Sequence, residues 1–563
     1  MRRRQDRVAC RPRRHRPPPA LRSPHDFSLH HPLAFWAGCL AIIGGVLAHA
    51  PMFLMGRHTG YEMVGMEMDA PMLVGMAMIP LGVLLAAYGL MPRIAQLRAR
   101  LHPAQPLHFH LADGVPLNVE HWKLVVVLVV ALAVDVLKPA TLGFVMPGMT
   151  REYAISKETA GILALVALTG TTVGSVLWGR LADMFGRRSA ILLSALMFIG
   201  TAICGAMPTF GWNLAMCFLM GASAGGLLPI AFTLMAETVP AAHRGWLLVA
   251  LGGIGTSAGY LLAAGSADLL VPLFSWRALW LLGLPTGLLI IFLGRYIPES
   301  PRFLANAGLP DAARAVLARF SGAAATASQV EAAAVVVEPE PPAGGMRALL
   351  RGPHARITWG LIVCGLAWGL ANFGFLLWLP TNLGAMGMDP GAANALLARS
   401  ALLALPGTAL VIWLYHRWSS VRALVLFIAL TAVALALFGA LAVLRVQSPA
   451  AVVAATALLL LSASGVIAML IPYAAEIYPV HLRGTGSGLI AASSKAGGIL
   501  GAGFGVLGVF GHLALSAALI AVPMAVAALL LGLAGVETRG RRLEEIQADL
   551  SAGAGTPAGP TAS

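Results

Sequence analysis

The chain has 563 residues, of which 58% are hydrophobic and only 11% charged, with a mean hydropathy of +0.80. Soluble proteins carry about 25% charged residues, so composition excludes a soluble class and points to a membrane protein. The net charge of +14 would suit a nucleic-acid binder, but the apolar chain leaves no fold for one, and the excess is better explained by topology.

A membrane-spanning helix needs about 20 apolar residues. Fourteen such stretches occur, near 33–55, 71–92, 122–148, 155–179, 189–207, 211–236, 246–270, 277–296, 357–380, 391–414, 421–444, 452–475, 485–510 and 513–535. They are too long and too continuous for the alternating strands of a membrane barrel. The expected fold class is therefore all-α, with 14 transmembrane helices. Residues 1–30, with nine arginines in the first 25, read as a disordered basic tail. A pair of spans occupies 31–92 and a basic linker 93–120. Six spans follow over 121–297, then a loop with short helices over 298–355, six more spans over 356–536 and a tail over 537–563. Arg93, Arg98, Arg100, Arg180, Arg187, Arg188, Arg244, Arg417, Arg422 and Arg483 all fall in loops on one side. The positive-inside rule makes that side cytoplasmic, with both termini there, and the cytoplasmic membrane is the expected location.

The five cysteines (Cys10, Cys39, Cys204, Cys217, Cys364) are scattered, with neither metal spacing nor a disulfide framework. No cofactor motif is present. The leading hairpin is rich in methionine: Met52, Met55, Met63, Met66, Met68, Met72, Met76 and Met78, with His49 and His58. Thioether and imidazole suit soft metals such as Cu(I), but methionine is also ordinary apolar filler and the spacing fixes no coordination. No residue is assigned to a metal.

In the third stretch, Asp135 and Lys138 lie mid-span, and at i and i+3 they share a face and can pair. Ionisable groups inside a bilayer are functional candidates by default. Gly179–Arg188, GRLADMFGRR, is a charged turn between apolar segments. Gly179 and Gly186 permit a tight reversal and close helix approach, Arg187 and Arg188 hold the turn at the cytoplasmic face, and Asp183 can meet a helix N-terminus or an arginine. Ala236–Gly245 reads AETVPAAHRG and Ala475–Gly484 reads AEIYPVHLRG, an A-E-x-x-P-x-x-x-R-G repeat at an offset of 239 residues. The repeat marks a duplication of six spans. It places Glu237 with Arg244, and Glu476 with Arg483, at corresponding helix ends, where with Asp183 and Arg187 they can form a gating network. In the second half, Trp368, Asn372, Phe375 and Trp378 can line a cavity, Lys495 sits mid-span, and Arg399 can reach either a cavity or the outer interface.

Four motifs in order carry a resemblance to the major facilitator superfamily. They are Gly179–Arg188, the duplicated E-x-x-P-x-x-x-R-G, Pro298-Glu299-Ser300-Pro301-Arg302, and Val536–Glu545, VETRGRRLEE. The last two are similar to motifs of the sugar porters. Asp135, Gly143, Phe144 and Pro147 resemble the first helix of the aromatic acid:proton symporters, with Lys138 in place of their second acid. Lys495 falls where those symporters place a buried arginine, whereas Cys217 stands where their fourth helix has one.

The resemblance implies a six-plus-six bundle, here preceded by an extra hairpin, that moves a small organic solute by alternating access. The substrate class implied is a carboxylate-type anion, with Asp135 as coupling group to protons and Lys495 and Lys138 facing the anion. A monomer in the lipid bilayer is expected, without nucleic acid and without enzymatic activity. A sugar or polyol facilitator, a metal exporter using the methionine-rich hairpin and a membrane solute sensor remain open as alternatives.

Overall fold

The computed structural model describes residues 31–90, 116–306, 309–321, 349–385, 388–444, 448–478, 480–509 and 512–539. The basic tail, most of the linker, the segment 322–348 and the C-terminal tail, on which the expectations of disorder and flexibility fall, lie outside the described residues. Among the described residues, fourteen helices are long and apolar enough to cross a membrane. They are α1 (Pro32–Thr59), α2 (Ala70–Leu90), α3 (Val119–Glu152), α4 (Lys157–Ala182), α5 (Arg187–Ala206), α6 (Phe210–Thr238), α7 (His243–Phe274) and α8 (Ala278–Tyr296) in the first part of the chain. In the second they are α9 (Ala355–Gly384), α10 (Pro390–Arg417), α11 (Ser420–Val443), α12 (Pro449–Ile477), α13 (Gly486–Val506) and α14 (Leu513–Ala534).

Local chemistry sets where these helices start. Asn118 opens α3 with a capping box: its side chain accepts from the His121 amide at 3.1 Å, and its own amide donates to His121 Nδ1 at 3.2 Å. Ser156 caps α4, Thr209 caps α6, and Asp389 caps α10 by accepting from the Gly391 amide at 2.9 Å. Pro139 and Pro147 sit inside α3. A π-helical turn, Leu370–Leu376, interrupts α9; such turns often mark functional sites in helices.

The hairpin α1–α2 is held by glycines at seven-residue spacing, Gly38 and Gly45 against Gly75 and Gly82. A Cβ on Gly38 would stand 2.5 Å from the Gly82 carbonyl oxygen, and one on Gly82 would stand 2.7 Å from the Gly38 oxygen. Gly45 and Gly75 face each other in the same way, at 2.6 and 2.7 Å. Between apolar helices, close approach replaces the hydrophobic drive that water supplies elsewhere, and any side chain here would force the pair apart. Methionines fill around this seam; Met52, Met63 and Met72 are buried. The hairpin packs on α5, where Gly200 accommodates Ile79.

After the hairpin, helices α3–α8 are the first half of the remaining twelve spans and α9–α14 the second. Gly143 on α3 meets α9, since a Cβ there would lie 2.5 Å from the Leu377 carbonyl oxygen. Ser257 on α7 hydrogen-bonds Thr408 on α10 at 3.1 Å.

Candidate functional site

Asp135 and Lys138 lie one helical turn apart on α3, and Nζ of Lys138 is 3.4 Å from Asp135 Oδ1. Both are almost wholly buried, at 6% and 1% exposure. The Lys138 ammonium also rests 4.0 Å from the centroid of the Phe198 ring on α5, a cation–π contact that desolvation strengthens. Lys138 therefore turns towards the interior of the first half. Lys495, on α13 of the second half, donates from Nζ to the carbonyl of Gly225, at 3.4 Å and 270 residues away in α6. That carbonyl also accepts from Ser175 on α4 at 2.6 Å. Lys495 and Asp135 lie within electrostatic reach of each other. The result is an Asp135–Lys138 pair set into the first half, with Lys495 reaching in from the second and held, among the described residues, by one long hydrogen bond.

The other mid-bundle candidates do different things. Trp368 donates its indole N–H to the Ala463 carbonyl at 2.8 Å, tying α9 to α12. Asn372 lies half-buried in the π-helical turn. Phe375 is 1% exposed and packs edge-to-face on Phe438 at 5.1 Å, so its ring fills the interior of the second half. Trp378 is buried against Gly161 and Gly505. Arg399 is exposed on α10. One group the sequence did not single out joins the set: Tyr260 on α7, with its ring 6.0 Å from Phe144 and its hydroxyl buried without a partner among the described residues. A tyrosine in an apolar span gave no charge signal by which to find it.

At the end of the bundle that carries the arginine loops, the charged turn is clamped by Glu299. Gly186 has φ +101°, a conformation that L side chains rarely adopt, and α5 starts immediately after it. The Glu299 carboxylate accepts from the amides of Arg187 (2.6 Å) and Ser300 (3.0 Å), which places an anion at the α5 N-terminus. Burial pushes Glu299 up to about 7, with the amides of Ser300, Arg187 and Arg188 acting in the opposite direction. Ser300 donates its hydroxyl to Glu237, and Arg187 lies 3.7 Å from Glu237. Arg188 is half-buried beside them.

The second half repeats this arrangement. Glu537 accepts from the Ser420 amide (3.0 Å), the Ser420 hydroxyl (2.6 Å) and the Ser419 hydroxyl at the start of α11. Thr538 donates to Glu476 at 2.6 Å, as Ser300 does to Glu237. Burial opposes ionisation of Glu537, but the hydroxyl and amide donors together hold it below the usual carboxylate range.

Gly179 does not take part in the reversal. The helix runs on through it, and a Cβ there would meet nothing within 4 Å among the described residues, so Gly186 alone makes the turn. Arg244 donates to the Val239 carbonyl at 3.4 Å. Glu476 accepts from Tyr415 at 2.9 Å. The side chains of Asp183 and Arg483 lie outside the described residues.

The opposite end holds a network that the sequence reading missed. Glu152, at the end of α3, pairs with the fully buried Arg277, with Nη2 to Oε1 at 2.6 Å and Nε to each oxygen at 3.1 Å. The same carboxylate accepts from the Trp276 indole and from the Met63 amide of the hairpin turn, both at 2.8 Å. Arg277 also donates to the Met207 carbonyl at 2.8 Å and to the Tyr153 hydroxyl at 3.1 Å. The available signal was an arginine between two apolar spans on the side that the positive-inside rule keeps poor in arginine.

Residues 125–502 match the family model of the Major Facilitator Superfamily. The niacin transporter NiaP of Acinetobacter baylyi is 27% identical over 69% of this chain and 87% of its own length. The gallate transporter of Pseudomonas putida is 26% identical over 69% of this chain and 86% of its own. The 4-hydroxybenzoate transporter PcaK of Acinetobacter baylyi reaches 32% identity over 34% of this chain and 43% of its own. Among solved structures, the partially occluded inward-open xylose transporter XylE from E. coli matches with a TM-score of 0.61 at 17% identity. The match covers 76% of this chain and all of that one, and is a likeness of fold.

Proposed function

We infer that this chain, which belongs to the Major Facilitator Superfamily of membrane transporters, carries a small aromatic carboxylate such as nicotinate or a hydroxybenzoate. Relatives named for niacin, gallate and 4-hydroxybenzoate transport support the substrate class. The observation that carries the reading is Lys495, an amine in a membrane span held by one 3.4 Å bond across the join. A substrate carboxylate offers it a charge-assisted hydrogen bond that no carboxylate among the described residues makes to it. Asp135, between Lys138 and Lys495, is the group that takes up and releases a proton as the two halves rock about the site. The arginine-bearing end faces the cytoplasm, so that both termini lie inside and the hairpin turn lies outside. Glu237, Arg187, Arg244, Glu476 and Arg483, with Asp183, gate the inner side, and the protein works as a monomer.

Uptake of labelled nicotinate and 4-hydroxybenzoate into proteoliposomes tests this. Saturable uptake by the wild type is expected, with loss in Asp135→Asn. A charged hydrogen bond contributes about 1.5–3 kcal/mol, so Lys495→Met should raise KM by about tenfold to a hundredfold. Equal uptake of a neutral pentose, or a KM indifferent to Lys495→Met, would overturn the assignment.

A further inference from the structure

A cavity of about 600 Å³ opens at the end of the bundle away from the arginine loops, and three parts of the chain wall it. Arg151 and Trp276 come from the first half, Asn394 from the second, and Arg57, Tyr61 and Glu62 from the turn of the added hairpin. The hairpin precedes the region that matches the family model. Its turn is nonetheless part of the mouth between the two halves on which transport depends.

The turn is built to stay there. Tyr61 has φ +65°, rare for a residue with a side chain. It is fixed from several directions at once: its amide donates to the Gly56 carbonyl at 2.6 Å, and its ring packs on Phe53 at 5.0 Å and on Phe274 of α7 at 5.8 Å. Two residues on, the Met63 amide is bound to Glu152, itself locked by Arg277. The positive-φ residues other than glycine among those described are Tyr61, Ala154 and Ser275, each in or next to this wall. Strained backbone persists where surroundings over-determine it, and clusters at functional sites.

The charges point to a ligand class. Glu152 is neutralised by Arg277. Arg57 and Arg151 are exposed, and no ion pair among the described residues occupies either. Glu62 is the remaining acid of the lining. Two exposed guanidinium groups on one lining with the half-buried Tyr61 ring match a carboxylate attached to an aromatic ring, by bidentate hydrogen bonding and by ring contact. The volume lies within the range of small-molecule sites, about 300–1,000 Å³.

We propose that the added hairpin completes an outer loading site, where Arg57 and Arg151 collect an aromatic carboxylate at the mouth of the path that leads to Lys495. This rests on the carboxylate reading and on the orientation given above. Initial uptake rates of nicotinate and 4-hydroxybenzoate into proteoliposomes are compared for wild type, Arg57→Gln, Arg151→Gln and the double variant, at low and at physiological salt. The double variant should show a KM about tenfold higher with a maximal rate within twofold of wild type. Its salt dependence should be shallower, because steering by exposed charge is screened.

In parallel, Glu62→Cys is labelled with membrane-impermeant thiosulfonates of either charge. The anionic reagent should react several-fold faster than the cationic one, nicotinate should protect, and both effects should vanish when Arg57 and Arg151 are replaced by Gln. A wild type that transports neither acid sinks the carboxylate reading, and this inference with it. A wild type that transports while the double variant keeps its KM, or labelling at residue 62 indifferent to reagent charge, overturns the loading site alone.

Discussion

Removing the Glu152 carboxylate should be among the most damaging single changes in the first half. Arg277 has no exposure, and Glu152→Gln would leave its guanidinium without a counter-charge, with one amide oxygen at residue 152, the carbonyls of Met207 and Gly205 and the Tyr153 hydroxyl as neutral acceptors. Breaking a buried pair in this way costs about 3–5 kcal/mol, whereas removing both charges costs much less. For a cooperative unit of this size, about 2–4 °C is lost per kcal/mol, so melting of the detergent-solubilised protein should fall by about 10 °C. Glu152→Gln combined with Arg277→Met should recover most of that loss, giving a strongly non-additive cycle. The Met63 amide also loses its charged acceptor, so hydrogen exchange in the hairpin turn should quicken in Glu152→Gln while exchange in α11 stays unchanged. A Glu152→Gln melting point within about 2 °C of wild type, or an additive cycle, would show the network to be a solvated surface pair and refute the reasoning.

Four other expectations follow from the structure. Glu299, raised from 4.5 to about 7, binds a proton more tightly folded than unfolded. Its contribution is therefore complete below pH 4.5 and is lost as pH rises through 7; Glu299→Gln should flatten the fall in melting temperature between pH 5 and 8. Glu537 is held below its ordinary value and acts with the opposite sign, its contribution present above pH 4.5 and lost on acidification; Glu537→Gln should remove that acid-side loss. Asp135→Asn should destabilise by leaving Lys138 buried beside Phe198 without its acid, and Asp135→Asn with Lys138→Met should restore the melting temperature but not uptake; restored uptake would make the pair purely structural. Gly143→Val should wedge α3 from Leu377 of α9, so a cysteine at Asn394 should label faster with an impermeant reagent; an unchanged rate would show that this contact does not close the outer mouth.

The fourteen spans were legible because a bilayer asks for little more than length and apolarity, and the arginine loops because they are dense charge in an apolar text. The partners of those charges were not legible. Glu299 acts on Arg187 across 112 residues, Lys495 on Gly225 across 270, and Arg277 on Glu152 across 125; such pairs are made by helix packing, which leaves no local period to read. The repeat led to Glu237 with Arg244 and Glu476 with Arg483, since those residues share a motif. Beyond the motif, the structure brings the Ser300 hydroxyl and Arg187 to Glu237, and Thr538 and Tyr415 to Glu476, all from other helices or their flanking turns. In the hairpin the methionines drew attention by number, although the glycines at 38, 45, 75 and 82 let the helices touch. Their seven-residue spacing was the available signal.

The duplicated clamps bear on how the molecule moves. Glu299 joins the segment after α8 to α5, and Glu537 joins the segment after α14 to α11, so each ties the end of a half to that half's third helix. Tyr473 adds to the second clamp, donating to the Val536 carbonyl at 2.7 Å and accepting from its amide at 3.0 Å. The hydrogen bonds of Glu299 and Glu537 are thus made within halves. Contacts such as the hydroxyl pair at 3.1 Å between Ser257 and Thr408, the 3.4 Å bond of Lys495 and glycine against backbone at Gly143 cross the join and are lighter. A body that rocks needs this inequality, since the contacts broken in each cycle must be weaker than those that keep each half rigid. Changes should therefore sort by location. Ser257→Ala with Thr408→Val, which removes a neutral pair together, should leave melting within about 1 kcal/mol yet shift the balance of inward and outward labelling. Glu537→Gln should lower melting and leave that balance unmoved. If the seam variant melted early and the clamp variant changed labelling, rigid halves about a weak join would be the wrong description of this transporter.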